Sequence, residues 1–283
     1  MARAVARIDL GAVERNCARL KSELGESAEL CAVVKADGYG HGADDCASAA
    51  LAGGATRLAV ATGAEAAQIG RRFPQIPLLT MGALAPDDVE DALAAGSEVA
   101  IWRADFRELL SARGRAQGRP VRVHVKHDSG MGRLGNPDPA EVLALARACA
   151  EDPQLDLAGV WTHFATADEP ESEFFDQQLD RFSAVADVLK AEFPNVTVHA
   201  ANSAAVFRDP RAHFDMARCG VAVYGLPLTL AVTYSVFGRY PAPGQSSVFI
   251  RFLRYGRGLV LGSHEKATVQ VSAATLQFSS TSI

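Results

Sequence analysis

Short apolar runs alternate along the chain with longer stretches in which apolar residues recur every three or four positions. The runs Leu30–Val34, Arg57–Ala61, Pro77–Thr80, Glu98–Ile101, Val121–Lys126, Leu157–Trp161, Val196–His199 and Phe214–Arg218 predict strands. Between them, Ala43–Ala52, Ala64–Arg72, Pro86–Ala95, Asp105–Ala116, Pro139–Ala150 and Glu173–Ala191 predict helices with one polar and one apolar face. Strand–helix alternation repeated in this way predicts an α/β fold, a (β/α)8 TIM-type barrel, with a doubly wound open sheet as the alternative.

A barrel of this kind carries its chemistry at the C-terminal ends of its strands. Lys35, Lys126, His163, Asn202–Ser203 and Arg218 each fall at or just after the end of a different predicted strand. The pattern changes near residue 226. Residues 226–283 hold a single acidic residue, Glu265, out of 33 Asp and Glu in the whole chain, and the helical alternation stops there. The expected organisation is therefore a barrel over 1–225 and an atypical segment over 226–283, β-rich or disordered. Residues 1–10 are an expected strand pairing with that segment.

Composition narrows the function classes. The chain has 283 residues, 48% hydrophobic and 22% charged, the proportions of an ordinary globular protein. A net charge of −5 leaves no basic face large enough to track a phosphate backbone, so nucleic acid is not an expected partner. Five cysteines (Cys17, Cys31, Cys46, Cys149, Cys219) are scattered without a C-x-x-C pair. That argues against a metal site or a disulfide framework and for reduced thiols in a cytoplasm. No run of 18 or more apolar residues suggests a membrane span, and the charges near Met1 are too close together for a signal-peptide core.

The strongest local signal is Ala32-Val33-Val34-Lys35-Ala36-Asp37-Gly38-Tyr39-Gly40-His41-Gly42. A lysine directly after a buried strand is costly unless it is paired, neutralised or bonded. Desolvation lowers an amine pKa, and a neutral amine can condense with an aldehyde cofactor. The glycines that follow permit a tight turn around a bulky ligand. A lysine snorkelling above a glycine-rich loop is the plainer reading of the same residues.

These eleven residues resemble the cofactor-lysine motif of the alanine racemase family, whose members use pyridoxal 5'-phosphate (PLP). Ala4–Asn16, Leu58–Glu65, His124–Gly135, Thr162–Asp168, His199–Ala205 and Phe214–Gly225 resemble further blocks of that family in the same order. The resemblance spans residues 4 to 225. It implies that Lys35 carries PLP and acts as one catalytic base. It places Tyr39, Asn202, Ser203, Gly220 and Val221 around the phosphate. Arg133 would bind the cofactor's phenolic oxygen and the substrate carboxylate, propped by Lys126, which is often carbamylated in the family. His163 would lie beside the pyridine ring, and Arg218 would donate a hydrogen bond to the ring nitrogen. Arginine does not give up its proton, so it leaves that nitrogen unprotonated and the ring a weak electron sink. A weak sink disfavours transamination and suits a racemase. Plainer readings stand beside these: a surface salt bridge for Arg133, a structural histidine for His163 and a helix N-cap for Ser203.

The implied activity is interconversion of L- and D-alanine, supplying D-alanine for peptidoglycan, in a cytoplasmic homodimer. In the family the second base is a tyrosine from the partner subunit, in a Gly-Tyr-Gly-Asp-Gly motif of a C-terminal β domain. That motif is missing after Tyr224-Gly225; the nearest context, Arg254-Tyr255-Gly256-Arg257, lacks its first glycine and its aspartate. The expectation is a truncated or rearranged C-terminal region with impaired activity, and exposed apolar surface where that domain would pack. Two other functions remain open: a PLP barrel enzyme acting on another small amino acid, and a PLP-binding protein without catalysis.

Overall fold

The computed structural model describes residues 5–226 and two later strand segments, 268–271 and 274–277. The first strand, β1 (Val5–Ile8), lies outside the barrel. It is followed by β2 (Glu29–Val33), β3 (Arg57–Val60), β4 (Leu78–Thr80), β5 (Glu98–Ile101), β6 (Val121–Lys126), β7 (Leu155–Trp161), β8 (Thr197–His199) and β9 (Met216–Cys219). Strands β2 to β9 pair in sequence order, all parallel, and β9 closes on β2 with Leu30 opposite Ala217 and Ala32 opposite Cys219. The closed ring settles the choice between a barrel and an open sheet. Strands β2, β3 and β4 are mainly apolar because helices cover one face and the packed lumen the other.

The helices are α1 (Leu10–Leu24), α2 (Ala43–Ala52), α3 (Gly63–Arg72), α4 (Pro86–Ala94), α5 (Ala104–Gln117), α6 (Pro139–Glu151), α7 (Phe174–Glu192) and α8 (Ser203–Arg208). Their starts follow ordinary chemistry. Asp9 and Asp138 accept backbone N–H bonds as N-caps, Pro139 opens α6, and Thr62 with Glu65 forms a capping box for α3. The main core lies between strands and helices, with Leu20, Leu30, Leu58, Ile69, Leu110 and Phe182 fully buried. A second, smaller cluster of Cys31, Val33, Ala59, Leu79 and Met216 packs on the alternate side chains of β2, β3, β4 and β9. Where β5 to β9 continue the ring, the buried side chains turn polar: Glu98, His124, Lys126, His199 and Arg218.

Outside the barrel, β1 pairs antiparallel with β11 (Ala274–Gln277), Val5 opposite Gln277, and β11 pairs with β10 (Thr268–Val271). Tyr255 and the rest of 227–267 lie outside the described residues.

Candidate active site

A cavity of about 560 Å³ opens at the C-terminal ends of the barrel strands. Each residue expected at the site lines it: Lys35, Tyr39, Lys126, Arg133, His163, Asn202, Ser203, Arg218, Gly220 and Val221. They come from segments that follow, or end, five different strands, and barrel closure is what brings them together. Among the described residues, four basic side chains (Lys35, Lys126, Arg133, Arg218) and one acidic side chain, Asp168, line the cavity. Such a wall favours an anionic ligand.

Lys35 leaves the barrel just after β2 and enters an unusual turn. Ala36, Asp37, Gly38 and Tyr39 have φ of 52°, 51°, 61° and 55°, one turn of left-handed helix. That conformation costs non-glycine residues roughly 1–2 kcal/mol each. Two carboxylates hold it in place. Glu65 Oε1 accepts from the Ala36 N–H at 2.7 Å while Oε2 accepts from Ala61 at 2.8 Å, and Asp37 Oδ1 accepts from Ala43 at 2.9 Å. The turn carries the Tyr39 ring over Gly220, where a side-chain Cβ would collide with the tyrosine hydroxyl. Tyr224 backs Tyr39 at 5.0 Å between ring centroids and donates its own hydroxyl to the Val33 carbonyl at 3.0 Å. Burial raises the pKa of Tyr39, opposed by the Arg133 charge.

Lys126 ends β6 with its side chain buried, the amine 3.7 Å from the centre of the Trp161 ring. Burial, then the Arg218 and Arg133 charges, hold its ammonium well below the usual lysine range. The loop beyond it presents the exposed Arg133. Its shape comes from Asp128, whose carboxylate accepts the N–H groups of Gly130 at 3.1 Å and Gly132 at 2.9 Å. His163, two residues past β7, is half-buried. Burial and the charges of Arg218, Lys126, Arg133 and Lys35 all push its pKa well below the usual value, so its ring is neutral.

After β8, Asn202 is the N-cap of α8, its Oδ1 accepting from Ala204 and Ala205 at 3.1 and 3.0 Å. The N-cap role, the plainer reading of Ser203, belongs to Asn202. Ser203 is buried, and its hydroxyl accepts from the backbone of Gly220 at 3.1 Å and Ala222 at 3.2 Å, tying α8 to the turn after β9. Arg218 is buried in β9. Nη1 donates to His199 Nδ1 at 2.8 Å, and Nη2 donates to the carbonyls of Thr162 at 2.7 Å and Ala200 at 3.1 Å. Burial lowers its pKa to about 10, which still leaves it a cation at neutral pH.

Sequence reasoning assigned no role to Trp161, Tyr224, Glu65 or His199. Of these, Trp161 is the one that lines the cavity, and its position as the last residue of an apolar run was the available signal.

Residues 8–227 match the family model described as "Alanine racemase, N-terminal domain". The chain is 42% identical over 232 residues to the alanine racemase of Symbiobacterium thermophilum, covering 82% of this chain and 61% of that one. It is 39% identical to that of Desulforamulus reducens, covering 78% and 60%. Among solved structures, alanine racemase from D-cycloserine producing Streptomyces lavendulae superposes with a TM-score of 0.74 at 36% identity, over 80% of this chain and 60% of that one. The Streptomyces coelicolor A3(2) enzyme gives 0.77 at 35% identity, over 84% and 64%. The chain thus spans about three-fifths of the length of the relatives it matches. With a closed barrel of the same shape and a match across nearly all of it, this chain belongs to the alanine racemase family, through its N-terminal domain.

Proposed function

We propose that this chain is the cofactor-bearing barrel of a PLP-dependent alanine racemase, interconverting L- and D-alanine and so supplying D-alanine for peptidoglycan. The observation that carries this reading is the convergence of Lys35, Tyr39, Arg133, His163, Ser203 and Arg218 on one basic cavity at the strand ends.

The donor set fits PLP. Gly220 leaves room for Tyr39 where a methyl group would collide, and the tyrosine hydroxyl, Asn202, Ser203, Gly220 and Val221 surround one end of the cavity as a phosphate cradle. Arg218, fixed by its bonds to His199, Thr162 and Ala200, would donate to the ring nitrogen. Arg133, on its Asp128-shaped loop, suits a phenolic oxygen and a substrate carboxylate, because a planar guanidinium can bind both in a fork. Lys126, whose amine packs on Trp161, would prop that arginine. His163, neutral, would lie beside the ring and position it rather than move a proton.

When bound, PLP supplies an aldehyde for the Lys35 amine and an electron-withdrawing ring that acidifies the substrate α-hydrogen. Lys35 Nζ would be the acid–base group of one face, removing the α-proton of one enantiomer and protonating that same face when the other enantiomer reacts. Arg218, still a cation at neutral pH, would hydrogen-bond the ring nitrogen without giving up its proton, which would limit electron withdrawal and favour reprotonation over transamination. Racemisation requires a second acid–base group on the other face. Among the described residues Tyr39 is the only tyrosine lining the cavity, and it belongs to the phosphate end. We take the second group to be a tyrosine of a second copy of the chain in a homodimer, as the family resemblance implies, with Tyr255 as the alternative. The five cysteines are all buried free thiols, which supports a reducing, cytoplasmic setting. No described helix is long and apolar enough to cross a membrane.

The test is racemisation of L-alanine by purified protein with added PLP, with cofactor absorbance recorded in parallel. Turnover that is lost in Lys35→Ala supports the proposal. PLP retained on Lys35 without turnover of either alanine enantiomer makes the chain a PLP-binding protein, and turnover of a different small amino acid moves the substrate. No PLP binding at all overturns the reading.

A further inference from the structure

Behind Arg218 a line of buried polar side chains runs down the barrel lumen. Arg218 Nη1 meets His199 Nδ1 at 2.8 Å, His199 Nε2 meets His124 Nδ1 at 2.8 Å, and His124 Nε2 meets Glu98 Oε2 at 2.6 Å. All four residues are at most 5% exposed. Glu98 opens β5 at the far end of the strands and is anchored there by Arg57 Nη1 at 3.0 Å and Arg122 Nε at 2.8 Å.

The two ends of this line fix its direction. A guanidinium only donates, so His199 Nδ1 must accept and its proton must sit on Nε2. That proton points at His124 Nδ1, which must also accept, so the His124 proton sits on Nε2 and points at the carboxylate. A doubly protonated His124 would set two N–H groups against each other. Both rings are therefore neutral and of one tautomer, although an arginine stands at one end and a carboxylate at the other.

The packing is built around this arrangement. A Cβ at Gly159 would run into the His124 ring, and the β6–β7 register shifts at Val123/His124 opposite that glycine. Trp161 stacks on His199 with 6° between ring planes at 5.7 Å, and the Arg218 guanidinium lies 4.6 Å from the same indole. Among the described residues, the other charged or titratable groups acting on this line include Lys126 from β6, Cys31 from β2, Cys219 from β9 and His163 just after β7.

We infer that Glu98, His124 and His199 form a one-way donor relay that sets the orientation of Arg218 toward the cavity, and that Glu98 and His124 are positioning residues for its contact there. Together with the two carbonyls, the relay commits three of the five guanidinium N–H groups, leaving the other two for a ligand. That the ligand atom is the PLP ring nitrogen rests on the proposed function; the direction of the relay does not.

The first measurement is ¹⁵N NMR of the histidine rings in the wild-type protein at neutral pH. His199 and His124 should both show the neutral Nε2–H pattern. A doubly protonated ring, or an Nδ1–H tautomer at either position, overturns the relay. The second measurement is a PLP titration of His124→Phe and Glu98→Gln, read as dissociation constant and absorbance maximum. Phenylalanine fills the site but breaks the line, whereas glutamine still presents an acceptor oxygen to His124. Loss of a partner that orients a ligand group costs about 10- to 100-fold in metal sites; His124→Phe should weaken PLP by about tenfold on the same logic and shift its absorbance, and Glu98→Gln should have a smaller effect of the same sign. Wild-type affinity and spectrum in His124→Phe overturn the positioning role. Failure of the wild-type protein to bind PLP sinks the proposed function instead, while the NMR result still decides the relay. Because that first measurement needs no variant, a misfolded substitution does not shield the inference.

Discussion

Gly220 does not sit in the left-handed region, so what the position requires is space. The Tyr39 ring lies against it with Cζ only 3.0 Å from where a Cβ would be, and Tyr224 blocks retreat on the other side. Gly220→Ala should therefore move Tyr39 away from the proposed phosphate cradle. Overpacking of this kind costs about 1–3 kcal/mol. The expected result is a lower denaturation midpoint together with weaker PLP binding; an unchanged PLP affinity would remove Tyr39 from the cradle. Residues such as Lys35, Tyr39 and Gly220 were legible because each sits in a short contiguous motif. Glu98 was not, because its partners lie 26 and 41 residues away and meet it only after the ring closes. His124 and His199 stood at the edges of recognised blocks, yet nothing in either block says that the two rings touch.

At the scale of the element, apolar runs of strand length gave the barrel strands to within two residues at each end, since both faces of each strand are buried. The left-handed turn at Ala36–Tyr39 could not be read in the same way. Alanine and tyrosine ordinarily favour other conformations, and only the glycines at 38, 40 and 42 hinted at it. What holds the turn is remote: one carboxylate, Glu65, takes the Ala36 and Ala61 N–H groups on its two oxygens while capping α3. Glu65→Gln turns one of those oxygens into a donor and leaves an N–H without its acceptor. Such a loss costs about 1–3 kcal/mol. Stability should fall by that order, and Lys35 should form its bond to PLP more slowly, because the turn that aims it is loosened. A variant that matches wild type in both melting temperature and rate of cofactor attachment would show that the turn holds itself.

For the whole molecule, the polar lumen makes stability depend on pH in a definite direction. His163 and His199 have pKa values pushed well below their usual 6.5, by burial first and by surrounding cations second. Both are neutral in the fold, while in the unfolded chain they take up protons as the pH falls through about 6.5. The unfolded state then binds more protons, so stability drops as pH falls below that value. Glu98 adds a second step of the same sign. Burial alone would raise its pKa, but the hydrogen bond from His124 and the Arg57 and Arg122 charges outweigh it and hold the carboxyl below its usual 4.5. Its contribution is complete above 4.5 and is lost as the pH falls below that value. Urea midpoints measured from pH 8 downward should stay level to about 6.5, decline below it, and decline further below 4.5. Glu98→Gln should flatten only the lower part, because it removes the carboxylate and leaves the histidines. A midpoint that holds level from pH 7 to pH 5 would mean that the buried rings already carry protons in the fold, and the one-way relay through the lumen would fall with that result.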